Sequence, residues 1–494
     1  MTNDELIDEL LSGGFFSEYL PDIFTTNKLE KTILDHKFKS HLTKPFLFTM
    51  WKGNNGDRRY IAIPNVFSYL NVLKWIKNNP NIMSELINKN LSSSHSVSKI
   101  VTADNKLRKF NLYYPNEKYK INLKNNLKND YINNLKIKMQ KTNGCNCILH
   151  LDIANFFGSI YTHFFASISH GVDWAQSEFE KNKNCWSEEY KKYRSLDKRI
   201  RYMNRNRTNG IICGPQLSYV MAEFLQTQID EELETALKGI CDFTRYVDDY
   251  DFFIRNKKDI EIIKPKISEV LNKYGLSLNV DKTEVEEFPF YANINFDNIH
   301  CTNDALDDYS IFAKIEQNNQ KGGLCYYINK LIANNSYDNE IALPIVLNIM
   351  KNVPEIMVST CNYFLEKKYK DENEVVKILN KLLKEFVASK YDLESAWLCF
   401  IILKIDKNYI FDNYLISQLN DLSKLVVYSL SQNESNKEII KSFKSDNWLF
   451  NYQMFYDDII SEDEFKSNLN LSDSMFMDYK YLKEQNISFI DATL

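Results

Sequence analysis

The chain has 494 residues, of which 44% are hydrophobic, 26% are charged and 14% are aromatic, and its formal net charge is −5. This composition excludes disorder over the whole chain, which needs low hydrophobicity and few aromatic residues, and the 13 Gly and 10 Pro exclude collagen-like and low-complexity chains. No hydrophobic run approaches the roughly 18 residues of a membrane span, so we expect no membrane partner.

The N-terminal part of the chain predicts helices around a single β-hairpin. Hydrophobic residues at helical spacing predict helix in residues 1–44 and again in residues 66–90. Between them, PFLFTMWK and RRYIAIP flank the turn GNNGD, which predicts a hairpin over residues 45–64. A polar loop follows at residues 91–98, and the Lys- and Asn-rich residues 100–140 fit no element clearly.

Strands and helices then alternate before the pattern becomes purely helical. The run CILHLD predicts a buried strand that ends at Asp152. The next predicted elements are a helix at 215–238, two strands with an acidic tip between them at 242–256, a helix at 258–273 and a strand near 276–280. From about residue 305 onward only helical spacing is found. We therefore expect an α+β domain over residues 1–304 and an all-α domain over residues 305–494.

The two predicted domains differ in charge. Residues 1–300 carry 41 Lys and Arg against 37 Asp and Glu, whereas residues 301–494 carry 20 against 29. Two stretches are strongly basic, with 11 basic and 3 acidic residues in 99–141, and 10 basic and 3 acidic residues in 181–207. Solvated helix faces would give the same counts. The functional interpretation is that the first domain binds a polyanion.

Three acidic residues at predicted strand ends form the most informative cluster. Asp152 ends the run ILHLD, and Asp248 and Asp249 lie in RYVDDYDFF, whose flanking residues favour strands. Carboxylates that meet at one sheet edge repel each other unless a divalent cation lies among them. A pair of Mg²⁺ ions in such a site clamps the attacking and leaving oxygens of a phosphoryl transfer. For the Asp-Asp pair alone, an exposed acidic turn is the simpler interpretation.

Five motifs in family order resemble the reverse-transcriptase family. LDIANFFGSIYTH looks like the first catalytic palm motif, and YVDD at residues 246–249 is the most specific match. GIICGPQLSYVMAE resembles the second motif, SLNVDKTEV resembles the motif with a Lys-Thr pair, and KGNNGDRRYIAIP resembles the fingers hairpin. The resemblance spans residues 45–288 and implies an α+β fold, with fingers over about residues 1–140 and a palm over about residues 141–304.

The same resemblance implies the catalytic residues. Asp152, Asp248 and the backbone carbonyl of Ile153 would be the metal ligands, holding two Mg²⁺ ions, with Mn²⁺ as the alternative ion. Asp249 would complete the acidic cluster. Lys282 would meet the leaving pyrophosphate, although an ordinary solvated lysine is an equally open interpretation. The expected catalytic residues are thus Asp152, Asp248, Asp249 and Lys282.

Deoxynucleoside triphosphates (dNTPs) are the substrates that the resemblance implies. Phe157 lies where the family places a bulky side chain against the 2′ position of the sugar, which would exclude a 2′-hydroxyl, although simple core packing is the alternative. Arg59, together with Lys52 or Arg58, would bind the triphosphate through charge-assisted hydrogen bonds. The expected nucleotide-binding set is completed by residues around the floor of the site, namely Ile153, Gly214, Pro215 and Gln216.

One departure narrows the resemblance. Where templated reverse transcriptases usually carry Pro-Gln-Gly in the second motif, this chain has Ile212, Cys213 and Gly214, so the Gln that helps to hold nucleotide and template is absent. NFFGSIYTH, the loop SSSHS and the acids Glu223 and Asp230 resemble the abortive-infection (Abi) reverse transcriptases, a bacterial phage-defence group. That group implies template-independent DNA synthesis primed on a protein hydroxyl, a single-stranded DNA product attached to the protein, a homo-oligomer and a C-terminal domain of HEAT-like helices.

The sequence also bears on where the protein is found and on two rival functions. The N-terminus MTNDELIDELL lacks the basic start of a secretory signal, and nine scattered Cys fit reduced thiols, so we expect the bacterial cytoplasm. One rival function is a templated RNA-directed DNA polymerase that copies a cellular or phage RNA. Another is a catalytically idle nucleic-acid-binding scaffold, against which the intact Asp152, Asp248 and Asp249 argue.

Overall fold

The structure is a computed structural model of the whole chain. It describes residues 1–39, 44–52, 57–102, 105–109, 133–288, 290, 321–333, 342–367, 369 and 371–493. Most of the basic stretch 99–141, the turn of the expected hairpin and the expected domain boundary at residues 304 and 305 lie outside the described residues. No helix in the described ranges is both long enough and apolar enough to cross a membrane.

The N-terminal segment contains much less helix than the spacing in residues 1–44 predicts. Helix α1 (Asn3–Gly13) begins with a capping box between Thr2 and Glu5. It ends at Gly13, with Gly14 as its C-cap, and the only helix in the described residues from 15 to 39 is a short 3₁₀ helix at Lys31–Asp35. The prediction was wrong there because Gly13-Gly14 and Pro21 interrupt the helix, although the hydrophobic spacing continues.

The β-hairpin and the two following helices match the prediction. Strands β1 (Phe46–Lys52) and β2 (Asp57–Ile63) pair antiparallel. Helix α2 (Val66–Asn78) begins at Asn65, whose side chain accepts a hydrogen bond from the Phe67 N–H. Helix α3 (Pro80–Ser92) begins at a proline in its first turn, where no N–H is needed.

A four-stranded antiparallel sheet lies at the centre of the domain, in the order β4–β5–β3–β6. Its strands are β3 (Cys147–Asp152), β4 (Asp242–Tyr246), β5 (Asp249–Ile254) and β6 (Glu284–Glu287). The helices around it are α4 (133–141), α5 (Phe156–Ser159), α6 (Gly171–Glu180), α7 (Glu188–Met203), α8 (Gln216–Ala236) and α9 (Ile260–Lys273).

The strand predicted near residues 276–280 is not formed. Leu278 makes a single β-bridge to Ile153, and a short 3₁₀ turn at Val280–Lys282 follows. Pairing with the edge of β3 is made instead by β6, which begins after this turn. The turn places Asn279 and Lys282 beside Asp152, which a continuous extended strand would not do.

The described part of the chain after residue 320 contains helices and no strand. These helices are α10 (Lys321–Ala333), α11 (Ala342–Asn352), α12 (Met357–Glu366), α13 (Glu372–Ala388), α14 (Asp392–Ile405), α15 (Asn413–Gln418), α16 (Asp421–Leu430), α17 (Glu434–Lys441), α18 (Trp448–Tyr456), α19 (Glu462–Leu469) and α20 (Asp473–Glu484). A short 3₁₀ helix at Pro354–Ile356 precedes α12.

The C-terminal helices share a hydrophobic core with the N-terminal segment and the hairpin. The indole N–H of Trp397 donates to the carbonyl of Tyr19 at 2.8 Å, and Phe15 packs edge-on against Trp448 with 6.2 Å between ring centroids. Helix α14 packs against strand β1. The hairpin is therefore supported from behind by the C-terminal helices.

Candidate active site

The three predicted acids lie together at one end of the central sheet. Asp152 is the last residue of β3 and pairs with Asp249, the first residue of β5. The N–H of Ile153 donates to the carbonyl of Asp248 at 3.2 Å, which fixes the start of the following turn against the YVDD hairpin. The antiparallel register of the two strands therefore brings together carboxylates that lie almost 100 positions apart in the sequence.

The three acids repel one another at this sheet end. Burial, and then the nearby charges of Asp249 and Asp152, raise the pKa of Asp248 to about 7. Burial and the Asp152 charge also raise the pKa of Asp249, while Lys282 opposes both shifts. Binding a cation here would relieve this repulsion, so the electrostatics favour positive charge at this sheet end.

Lys282 supplies part of that positive charge. Its ammonium lies 2.5 Å from Oδ2 of Asp152, and the side-chain amide of Asn279 donates to the same oxygen at 3.2 Å. The hydrogen bond to Asp152 raises the pKa of Lys282, so the amine stays protonated at neutral pH. The lysine expected to meet pyrophosphate thus contacts an expected metal ligand.

The metal expectation is met in its donors but not in their arrangement. Among the described residues, no three His, Cys, Asp or Glu side chains form a group that could hold a metal ion. The available donors are carboxylate oxygens, the ligands that Mg²⁺ and Mn²⁺ prefer. Asp152 and Asp248 are the residues that would hold such an ion, and Lys282 would have to release Asp152 for that oxygen to serve as a ligand.

The side chain at the predicted sugar position is partly accessible. Phe156 is buried in the core at 3% exposure, whereas Phe157 is half-buried and touches Phe156 edge-on, with 5.3 Å between centroids. The carbonyl of Phe157 accepts from the N–H of Ile211 at 2.9 Å, so the second motif holds this backbone in place. The ring is therefore fixed at its base and partly open to solvent.

The Gly-Pro turn forms a close junction between the hairpin and helix α8. Gly214 has φ of 141°, and a Cβ there would lie 2.5 Å from the carbonyl oxygen of Ala62, so only glycine fits. The preceding Cys213 carbonyl accepts from the Ala62 N–H at 2.7 Å. Pro215 is the N-cap residue of α8 rather than a residue of its first turn. The fingers and the second motif are thus joined through their backbones.

Gln216 has a scaffold contact at this junction. Its N–H donates to the carbonyl of Gly14 at 2.8 Å, and its side-chain amide donates to the carbonyl of Arg108. Both contacts tie α8 to the N-terminal segments. These contacts account for Gln216 without a nucleotide, so the structure gives it a structural role in addition to the predicted one.

The two neighbouring arginines of β2 face opposite ways. Arg58 donates to both carboxylate oxygens of Glu394 at 2.5 and 2.7 Å, and its guanidinium lies 4.1 Å from the ring centroid of Tyr391. Arg59 is exposed on the other face of the strand. Burial raises the pKa of the Cys213 thiol, whereas the positive charge of Arg59 lowers it and the negative charge of Asp248 raises it further. Arg59 is therefore on the side of the acids, and Arg58 is bound to the C-terminal helices.

Lys52 lies at the end of β1. It is exposed and pairs in register with Asp57, directly beside the turn of the hairpin. Within the described part of the chain, no contact links Lys52 to the acids.

A buried charge network supports the YVDD turn from below. Arg245 is fully buried and donates to Glu223 at 2.9 and 3.0 Å and to Asp230 at 2.8, 2.9 and 3.0 Å. The hydroxyl of Ser96, from the loop at residues 93–98, donates to Glu223 at 2.6 Å. The neighbouring Arg245 charge stabilises both acids inside the protein, although burial raises the pKa of Asp230.

Sequence reasoning missed several of these contacts. Asn279 lies inside the motif SLNVDKTEV, so its position beside Asp152 could have been anticipated from the motif. Arg245 directly precedes YVDD, and an arginine inside a strand of hydrophobic residues is a signal of a buried ion pair. Glu394 offered no such signal, because it is an ordinary acid in the first turn of a helix.

The described residues thus combine acids at paired strand ends, a half-buried phenylalanine and a close glycine junction to the hairpin. Residues 88–315 match the family model described as reverse transcriptase (RNA-dependent DNA polymerase). That part of the chain is therefore similar to the reverse-transcriptase family. The matched range includes all three acids and stops short of the helices that follow residue 320.

Comparisons with solved structures give weak similarities. The telomerase of Candida tropicalis bound to a fragment of telomeric RNA is 13% identical, with 82% of this chain and 65% of that chain covered and a TM-score of 0.31. The apo telomerase of the same species gives 13% identity, 82% and 69% coverage and a TM-score of 0.33. The RNA-bound telomerase of Candida albicans is 12% identical, with 81% of this chain and 65% of that chain covered and a TM-score of 0.28. No curated protein sequence matches the chain.

Proposed function

We propose that this protein is a metal-dependent DNA polymerase that adds deoxynucleotides to a hydroxyl group. The observation that carries the proposal is the register of the central sheet, which places Asp152 opposite Asp249 and next to Asp248 within the part of the chain that is similar to the reverse-transcriptase family. The half-buried Phe157 ring is the candidate sugar gate, and the exposed Arg59, on the side of the acids, is the candidate phosphate ligand.

Each residue has a defined role in this proposal. Asp152, Asp248 and the carbonyl of Ile153 hold Mg²⁺, with Mn²⁺ as the alternative, and the metal supplies charge stabilisation for the phosphoryl group. Asp249 adds negative charge to the cluster. Lys282, which contacts Asp152, donates a proton to the departing pyrophosphate.

The substrate-binding roles divide among four positions. Arg59 and Lys52 bind the triphosphate, and Phe157 excludes a 2′-hydroxyl by its bulk. Gly214 allows the close backbone approach that forms the floor of the site. Arg58 supports the hairpin through Glu394, so it is not a triphosphate ligand in this proposal.

The finer assignment is an Abi-type defence polymerase. We infer that the enzyme synthesises single-stranded DNA without a template, primed on one of its own hydroxyl groups, in a homo-oligomer in the bacterial cytoplasm. Cys213 in place of the template-holding Gln supports this assignment. So does the series of helices after residue 320, which is compatible with a HEAT-like domain that begins near residue 305.

A mutation of the acids tests the polymerase assignment. Asp152→Asn and Asp248→Asn each remove a charged ligand, so we expect incorporation of labelled dNTP to fall by at least about 100-fold with the fold intact. Asp281→Asn is the matched control, because this exposed acid lies next to Lys282 and outside the cluster. Activity of D248N equal to that of the control would disprove the proposed site, and so would an inactive wild type supplied with Mg²⁺ or Mn²⁺.

A templated polymerase is the second candidate, favoured by the description of the matching family as RNA-dependent. Supplying homopolymeric RNA templates with complementary primers separates the two. A product whose base composition follows the supplied template favours the templated enzyme. A product composition that follows only the supplied dNTP pool favours the template-independent one.

A further inference from the structure

The YVDD turn contains an unusual backbone conformation. Tyr246 and Asp249 are paired across the hairpin, so Val247 and Asp248 form a two-residue connection. Val247 has φ of 57°, in the region that β-branched residues rarely adopt. Two-residue hairpins need a positive φ at their first central position, where glycine is preferred. Val247 therefore holds a strained conformation directly before a candidate metal ligand.

Side chains from three elements hold this strained residue. The hydroxyl oxygen of Ser98 accepts from the N–H of Val247 at 2.8 Å. The carbonyl of Val247 accepts from Arg245 at 3.1 Å and from the amide of Gln226 at 3.3 Å. Both backbone polar groups of Val247 are thus bonded to side chains, and none of these bonds belongs to the sheet ladder.

Ser98 is itself held firmly. It is fully buried, and its hydroxyl donates to a carboxylate oxygen of Glu223, with 3.5 Å between the two oxygen atoms. The loop at residues 93–98 adds to the edge of the sheet beside β4, since the N–H of Arg245 donates to the carbonyl of His95 and the N–H of Val97 donates to the carbonyl of Arg245, both at 2.9 Å. Ser98 therefore presents its oxygen from a rigid support and not from a mobile loop.

We propose that Ser98 is a positioning residue, which keeps Val247 in its strained conformation and thereby holds the Asp248 carboxylate in place for nucleotide transfer. The inference rests on the proposed function, because it assigns a purpose to the strain only if Asp248 takes part in the reaction. Ser98 touches the backbone of the turn, and we assign it no contact with substrate. Losing its hydroxyl lets Val247 relax, and Asp248 moves with it.

Five variants test this coupling by steady-state incorporation of labelled dNTP, namely Ser98→Ala, Val247→Gly, Ser96→Ala and the two double variants that combine each serine change with Val247→Gly. Ser98→Ala should lower kcat about tenfold and leave the KM for dNTP within about twofold, since an interaction that acts on geometry is lost and not a substrate contact. Val247→Gly should remove the strain, so in that background Ser98→Ala should cost less than about threefold. Ser96→Ala is the matched control, because this buried hydroxyl on the same loop bonds Glu223 and not the turn.

The outcomes are distinct. Equal losses from Ser98→Ala in the wild-type and Val247→Gly backgrounds would overturn the inference, and so would an unchanged kcat in an active wild-type background. If the loss of kcat caused by Ser96→Ala depends on the residue at position 247 as strongly as the loss caused by Ser98→Ala does, the effect is a general loosening of the loop. That result would also overturn the inference. If Ser98→Ala does not fold, the isosteric pair Ser98→Thr and Ser98→Val replaces it, with activity expected only for Thr. A wild type without incorporation would overturn the proposed function together with this inference.

Discussion

Phe157 and Phe156 are adjacent aromatic residues with different surroundings. Phe156 is buried in the core, and Phe157 is partly accessible. A short motif can predict such a pair because it sets local backbone geometry. Phe157 packs against the core and keeps part of its surface accessible, so both the sugar gate and core packing stay open. Local geometry cannot show whether Phe157 contacts a sugar, because such a contact also depends on where the nucleotide binds.

The gate leads to a prediction about sugar selection. Phe157→Val should increase the use of ATP relative to dATP by at least about tenfold, because a ring next to C2′ leaves no room for a hydroxyl. The measurement is the ratio of the two kcat/KM values. Phe156→Leu is the control, expected to lower stability without changing that ratio. An active F157V variant with the wild-type ratio would show that Phe157 only packs in the core.

Other residues of the site were predictable only in part. The three acids lie in two short motifs, each at the end of a predicted strand, so their meeting at a sheet end follows once these strands pair. The contact of Lys282 with Asp152 was not predicted, because the 3₁₀ turn before β6 is not encoded in hydrophobic spacing. The bond between Ser98 and Val247 joins residues 149 positions apart, and no local pattern indicates such a pairing.

A buried ionic network joins helix α8, strand β4 and the loop at residues 93–98 beside the central sheet. Arg245, Glu223 and Asp230 are each at most 1% exposed. Such a network adds little net stability when complete, but removing one partner leaves buried charge without compensation. The network therefore acts mainly to fix where β4 and its turn lie.

Removing the arginine should reveal this dependence. Arg245→Ala should lower the free energy of unfolding by about 3–5 kcal/mol, because Glu223 and Asp230 lose their common partner. Denaturant unfolding is the measurement. The exposed Arg255, immediately after the adjacent β5, is the control, and its change to Ala should stay within about 0.5 kcal/mol. Equal effects of the two changes would contradict the role of the network.

Across the whole molecule, the C-terminal helices fix the fingers hairpin from behind. Arg58 in β2 is bonded to Glu394 in α14, which is fully buried, and the two residues lie 336 positions apart. The backbone N–H of Thr49 in β1 also donates to Asp392 of α14, at 2.9 Å. Sequence spacing predicts each element but not this junction, because contacts between distant elements leave no periodic signal.

The adjacent arginines Arg58 and Arg59 should therefore respond differently to mutation. Arg58→Ala should lower stability by about 3 kcal/mol, because buried Glu394 loses its partner, and should speed amide hydrogen exchange in residues 46–63. Arg59→Ala should leave stability nearly unchanged and raise the KM for dNTP about tenfold, because it removes a charge-assisted bond to phosphate. The reverse pattern would show that the two side chains are assigned to the wrong faces of β2.

Labelling of the protein by its own product tests template-independent, protein-primed synthesis most directly. The purified protein is incubated with labelled dNTPs and Mg²⁺ but no nucleic acid, and is then run on a denaturing gel beside the D248N variant. We expect label to migrate with the wild-type protein at increased mass, nuclease to reduce the shift to a small covalent remnant, and D248N to stay unlabelled. Label that runs free of the protein, or that appears only after primer and template are added, would contradict this expectation.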